Sequence, residues 1–159
     1  MNLFRRAVAA SGMISMAAAL MTLVVNEPIS RAAQNAGSQE PTPAYHSTVP
    51  AGALPQTMDP TTFPNPVVQN AYAIAAKVKR VLYQQPCYCH CDRSIGHQSL
   101  LDCYVGKHAS VCDVCMRESF YAYEQTMKKK TAAQIRAGIE RGEWQQVDIS
   151  KYESVPPKQ

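Results

Sequence analysis

Cys87-Tyr88-Cys89-His90-Cys91 places three thiols at every second position of the chain. A disulfide between cysteines two apart closes a ring too small for relaxed disulfide geometry. The run therefore has to look outward, to a metal ion or to the three remaining cysteines, Cys103, Cys112 and Cys115. All six cysteines fall within the 29 positions from Cys87 to Cys115, with His97 and His108 interspersed among them. Any fold this chain adopts must be built around that segment.

Which partner the thiols take depends on the compartment, and the first residues speak to it. Arg5 and Arg6 precede an uncharged run from Ala7 to Val25 rich in Ala, Met, Leu and Val, and Ser30-Arg31-Ala32 offers a small-x-small cleavage site. Residues 1–32 are thus expected to be an export signal, and the adjacent arginines also fit a twin-arginine signal, which carries folded, metal-loaded cargo. The expected location is the periplasm or cell envelope. The same apolar run, left uncleaved, is about long enough to act as a membrane anchor.

The remaining chain suffices for one small domain. Residues 33–65 carry six prolines among Ser, Thr, Gly and Ala, a composition expected to give a disordered, polyproline-like linker that buries little. The domain proper is expected over residues 66–150, followed by a flexible tail at 151–159. A unit of that size is marginal on hydrophobic burial alone and commonly recruits cross-links or metals. The formal net charge of +4 loses three arginines with the signal, and Lys128-Lys129-Lys130 has no interleaved aromatic residue, so no nucleic-acid partner is expected.

The apolar periodicity predicts an all-α domain. Asn65 and Pro66 are a cap and a first helical residue, and Val67, Ala71, Ile74, Val78 and Val81 or Leu82 form one apolar face ending before Pro86. Leu100, Leu101 and Tyr104 mark a short helix stopped by Gly106. Nothing between His108 and Met127 breaks a third helix, and Thr131-Ala132-Ala133-Gln134 is a capping-box pattern that opens a fourth, carrying Ile135 and Ile139 and ending at Gly142. The expectation is a small bundle of about four helices, with the Cys-rich loop between the first and second and the Pro-rich segment ahead of it.

On that scaffold His108, Cys112 and Cys115, at i, i+4 and i+7, share one helix face. The loop of Cys87, Cys89 and Cys91 faces three downstream cysteines. Two readings follow. Thiolates and imidazoles can surround a transition-metal ion, copper or zinc, because sulfur donors select soft ions. Three disulfides can instead staple a metal-free structural or interaction module, as an oxidising compartment favours. A third, thiol–disulfide redox chemistry at Cys112-Asp113-Val114-Cys115, lacks the βαβ context that gives C-x-x-C its redox meaning. No C-x-x-C-H haem site, ferredoxin spacing, phosphate loop or catalytic triad is present, and the chain reads as more binder than enzyme.

Pro86-Cys87-Tyr88-Cys89-His90-Cys91, Gly96-His97-Gln98-Ser99-Leu100-Leu101-Asp102-Cys103-Tyr104, His108-Ala109-Ser110-Val111-Cys112-Asp113-Val114-Cys115 and Glu118 together resemble the bacterial exported proteins named for a PCYCGC motif. The resemblance runs over about residues 66–142. It implies export and, often, lipid anchoring, with no activity attached. Two departures stand out: His90 replaces the motif glycine, and no lipobox cysteine precedes the domain. The metal donors expected are Cys87, Cys89, Cys91, Cys103, Cys112, Cys115, His108, His97 and His90. The expected role is storage, delivery or sensing of the ion, with a membrane or protein partner in the cell envelope.

Overall fold

The computed structural model describes residues 40–154, and the expected signal at 1–32 lies outside them. The described residues are helical without strands, in six α-helices: α1 (Pro66–Lys77), α2 (Lys79–Leu82), α3 (Cys91–Ser94), α4 (Asp102–Val105), α5 (Asp113–Met127) and α6 (Ala132–Glu140). Six replace the four expected, because the first helix divides at Val78 (φ −113°, ψ 28°) and the cysteine loop winds a single turn of its own at α3.

Local chemistry sets the ends. Asn65 Oδ1 accepts from Val67 N at 2.8 Å, with Pro66 in the first turn where its missing N–H costs nothing. Thr131 and Gln134 form the reciprocal capping box, and Gly142, at φ 75°, takes up the left-handed conformation that ends α6. α5 is the central helix, packed against α1 and α6. Around it Tyr72, Leu82, Leu100, Leu101, Tyr104, Phe120, Ile135 and Ile139 are fully buried, with Tyr72 edge-on to Tyr104 at 5.0 Å.

Three expectations are corrected. The described part of the Pro-rich segment, residues 40–65, lies on the helical body. Leu54 and Phe63 enter the core and Pro43 is buried, Phe63 meets Tyr72 at 4.3 Å between ring centres, and Met58 N donates to Tyr104 O at 2.9 Å. Proline presets an extended backbone and removes a donor that would otherwise need a partner, so such a segment can lie on a helical surface with few orphaned groups. Residues 151–154 of the expected tail are also held: Tyr152 stacks on Phe120 at 3.8 Å and its carbonyl accepts from Asn70 Nδ2 at 2.9 Å. Finally, the helix expected from His108 divides. His108–Val111 is a 3₁₀ turn, Cys112 is extended (φ −122°, ψ 104°), and α5 begins at Asp113.

Candidate metal centre

Because Cys112 is extended, His108, Cys112 and Cys115 do not share one helical face. The three side chains nonetheless meet, their donor atoms within 4.8 Å of one another. Cys115 stands on the first turn of α5, buried; Cys112 and His108 approach from the turn ahead of it, half-buried. Opposite them the loop after α2 delivers Cys87, Cys89 and Cys91, while Cys103 comes from α4 and His97 from the stretch between α3 and α4.

The six sulfurs are all free thiols and meet in one cluster. Cys87 Sγ lies 3.4 Å from Cys89 Sγ and 3.4 Å from Cys115 Sγ, Cys89 Sγ lies 3.7 Å from Cys115 Sγ, and Cys91 Sγ lies 3.4 Å from Cys103 Sγ. A bonded pair would stand at about 2.05 Å, whereas sulfurs sharing a tetrahedral ion at about 2.3 Å stand about 3.8 Å apart. Two imidazoles complete the ring of donors: His108 Nε2 is 3.5 Å from Cys89 Sγ and His97 Nδ1 is 3.3 Å from Cys103 Sγ. Cys89, His108, Cys112 and Cys115 each offer an atom within 4.8 Å of the others, as do Cys87, Cys103 and Cys115, and Cys87, Cys89 and Cys91.

Crowding perturbs the thiols in opposite directions. The Cys103 and Cys115 thiols beside it push Cys87 up, and Cys103 raises Cys91. Cys89, facing Cys103 and Cys112, is lowered, and Cys103, beside Cys115 and Cys87, is lowered to about 4. A bound cation takes the place of the thiol protons and deprotonates its ligands outright.

Of the other expected donors, His97 stands outside these groups except for its approach to Cys103, and His90 is not brought into them. It occupies the left-handed region (φ 56°, ψ 32°) at the start of α3, and its Nε2 lies 3.2 Å from Glu40 Oε2. Arg93 reaches the same carboxylate at 3.3 Å, and Ala44 N donates to Asp92 Oδ2 at 3.1 Å. Residues 40–44 are thereby strapped across α3. Pro43 and Ala44 close over Cys87, Cys91 and His97.

A family model described as "Protein of unknown function with PCYCGC motif" matches residues 14–146. The chain belongs to the PCYCGC-motif family. No curated protein and no solved structure matches it. The family motif's glycine corresponds to His90, and the left-handed backbone at that position is the conformation in which glycine alone is unstrained.

Glu118 belongs to the family pattern and supports the site from below. It is fully buried one turn beyond Cys115, its Oε1 accepts from Tyr88 N at 2.9 Å, and burial raises its carboxyl well above the usual range. It thus ties the Cys87–Cys91 loop to α5 from beneath. The signal for it was positional: Cys115 and Glu118, at i and i+3, share a helix face. Tyr104 does similar work, donating to Cys115 O at 2.9 Å.

Proposed function

We propose that this chain is an exported protein that binds a thiophilic transition-metal ion, copper or zinc, through cysteine and histidine, and that it stores, delivers or senses the ion outside the cytoplasm. The observation that carries this reading is the convergence of six free sulfurs and two imidazoles on one place. Cys87 touches Cys89 and Cys115 at the same distance, 3.4 Å, so the sulfurs do not resolve into three separate pairs, which favours a shared ion over a triple staple. Cysteine and imidazole are the donors that copper and zinc prefer. Cys87, Cys89 and Cys91 would hold one side of the ion and Cys103, Cys112, Cys115 and His108 the other, with His97 beside them. Taking several thiolates out of water without a cation is costly, so binding and folding are coupled.

Export rests on residues 1–32. Retention of that segment would make the protein membrane-anchored and bring a partner in the cell envelope within reach; no helix among the described residues is long and apolar enough to cross a membrane. The test is elemental analysis of protein recovered from its native location, paired with thiol counting under denaturation before and after chelation. A stoichiometric transition metal, with at least four thiols unmasked by the chelator, is expected. Metal-free protein without titratable thiols would overturn the reading in favour of a disulfide module.

A further inference from the structure

The eight donors divide into a compact set of four and a second set of three sulfurs with His97 beside Cys103, and we infer that the centre binds two ions that exchange at different rates. The inference rests on the metal-binding reading above and adds its stoichiometry and its order of release.

The first set is Cys89, His108, Cys112 and Cys115, mutually within 4.8 Å. The second is Cys87, Cys91 and Cys103 with His97. Its three sulfurs also lie within 4.8 Å of one another in the donor groups they share, Cys91 and Cys103 at 3.4 Å, with the imidazole nitrogen 3.3 Å from Cys103 Sγ. Each set offers three sulfurs and one nitrogen, the Cys₃His complement of a closed four-coordinate zinc site. All six cysteines and both imidazoles are used once. The sets adjoin through Cys87, which touches Cys89 and Cys115. His108 stands nearest the boundary, within 4.8 Å of Cys91 and Cys103 as well, and its 3.5 Å approach to Cys89 assigns it to the first set.

Charge argues for two ions rather than one. A single four-coordinate ion satisfies one set and leaves three further thiols and an imidazole crowded beside it; with the first set filled, all three of those thiols, Cys87, Cys91 and Cys103, are buried. A second divalent ion offsets most of that thiolate charge where water cannot.

Exposure makes the two inequivalent. In the first set Cys89, His108 and Cys112 are half-buried and only Cys115 is buried, and next to Cys112 the exposed Val111 leaves the approach uncovered. In the second all three cysteines are buried and only His97 is half-buried, with Cys87, Cys91 and His97 beneath Pro43 and Ala44 of the strap. The first set is the exchangeable one and the second retains its ion, so a chelator or an acceptor protein takes the first ion and leaves the second as part of the fold.

The experiment is titration of the reduced full-length chain with Zn²⁺ against a chromophoric chelator, followed by stopped-flow removal with excess chelator. Two equivalents are expected, released in phases of equal amplitude whose rates differ by about tenfold or more, a difference in barrier of about 1.4 kcal/mol. His108→Ala with Cys112→Ser should leave one equivalent, released in the slow phase; His97→Ala with Cys103→Ser should leave one, released in the fast phase. The wild-type measurement decides the matter even where a variant fails to fold. One equivalent, or two leaving with a single rate constant, overturns the partition and leaves metal binding standing; failure to retain any Zn²⁺ or Cu(I) overturns both.

Discussion

Position 90 is where this chain and its family's motif part, and the backbone there makes the difference measurable. The left-handed conformation of His90 (φ 56°, ψ 32°) costs an L-residue about 1–2 kcal/mol. Glycine enters it freely but gives up about 0.5–1 kcal/mol through its looser unfolded chain. The backbone alone therefore favours His90→Gly over His90→Ala by about 0.5–1 kcal/mol. Both substitutions remove the imidazole, so the lost pairing with Glu40 cancels between them. That pairing is worth at most about 1 kcal/mol, since the Glu40 side chain is 65% exposed. The comparison is thermal unfolding of the reduced chain followed by circular dichroism, with the glycine variant melting about 2–5 °C above the alanine variant. Alanine melting at or above glycine would refute the strain argument. The same variants, titrated with Zn²⁺, should bind as many ions as the parent; loss of an equivalent would show that His90 is a ligand and that its place beside Glu40 is not the bound arrangement.

Other consequences can be checked alongside. Phe63→Ala removes a core ring contributed by the Pro-rich segment and should cost about 3 kcal/mol in urea unfolding; a change below about 0.5 kcal/mol, the ordinary range for surface positions, would show that residues 40–65 do not belong to the cooperative unit. A methyl group at Gly138 would stand 2.8 Å from Tyr121 Cζ and 2.9 Å from Glu143 Oε2. Gly138→Ala should therefore destabilise by about 2 kcal/mol, overpacking and the disturbed Tyr121–Glu143 hydrogen bond outweighing about 1 kcal/mol of helix propensity, and by less in a Tyr121→Phe background. Tyr72, whose hydroxyl donates to Gly106 O at 2.7 Å, is raised by burial to about 12, against about 10 when unfolded. Its contribution is complete below about pH 10 and is lost as pH climbs toward 12, because the unfolded phenol ionises first; Tyr72→Phe should flatten the fall of the urea midpoint over that interval.

Much of the helical framework was legible because caps are local chemistry. Asn65-Pro66, Thr131 with Gln134, and Gly142 each act through neighbours a few residues away. The convergence of the cysteines was legible too, since a C-x-C-x-C run cannot satisfy itself. What escaped was non-local. No Pro or Gly announces the break at Cys112, whose extended backbone is held by the surrounding structure while its side chain joins the donors. Prolines in residues 40–65 signalled an absence of helix and strand, but not the surface they would lie on. The spaced apolar residues Val49, Leu54, Met58 and Phe63, all in or against the core, were the available sign. His90 looked like a donor because of its neighbours; its side chain is turned instead toward a residue 50 positions upstream.

The confinement of all six sulfurs to 29 consecutive residues has a kinetic consequence. Closing loops of a dozen or two residues costs little more entropy than closing shorter ones, so an unfolded chain can already gather several sulfurs around an ion before Phe63 and Tyr152 reach their places from either side. On the metal-binding reading proposed above, such an ion would nucleate folding, and in doing so it would also bind the denatured ensemble. The gain in equilibrium stability from metal will then fall short of what affinity for the folded protein alone implies, while the acceleration of folding will be disproportionately large.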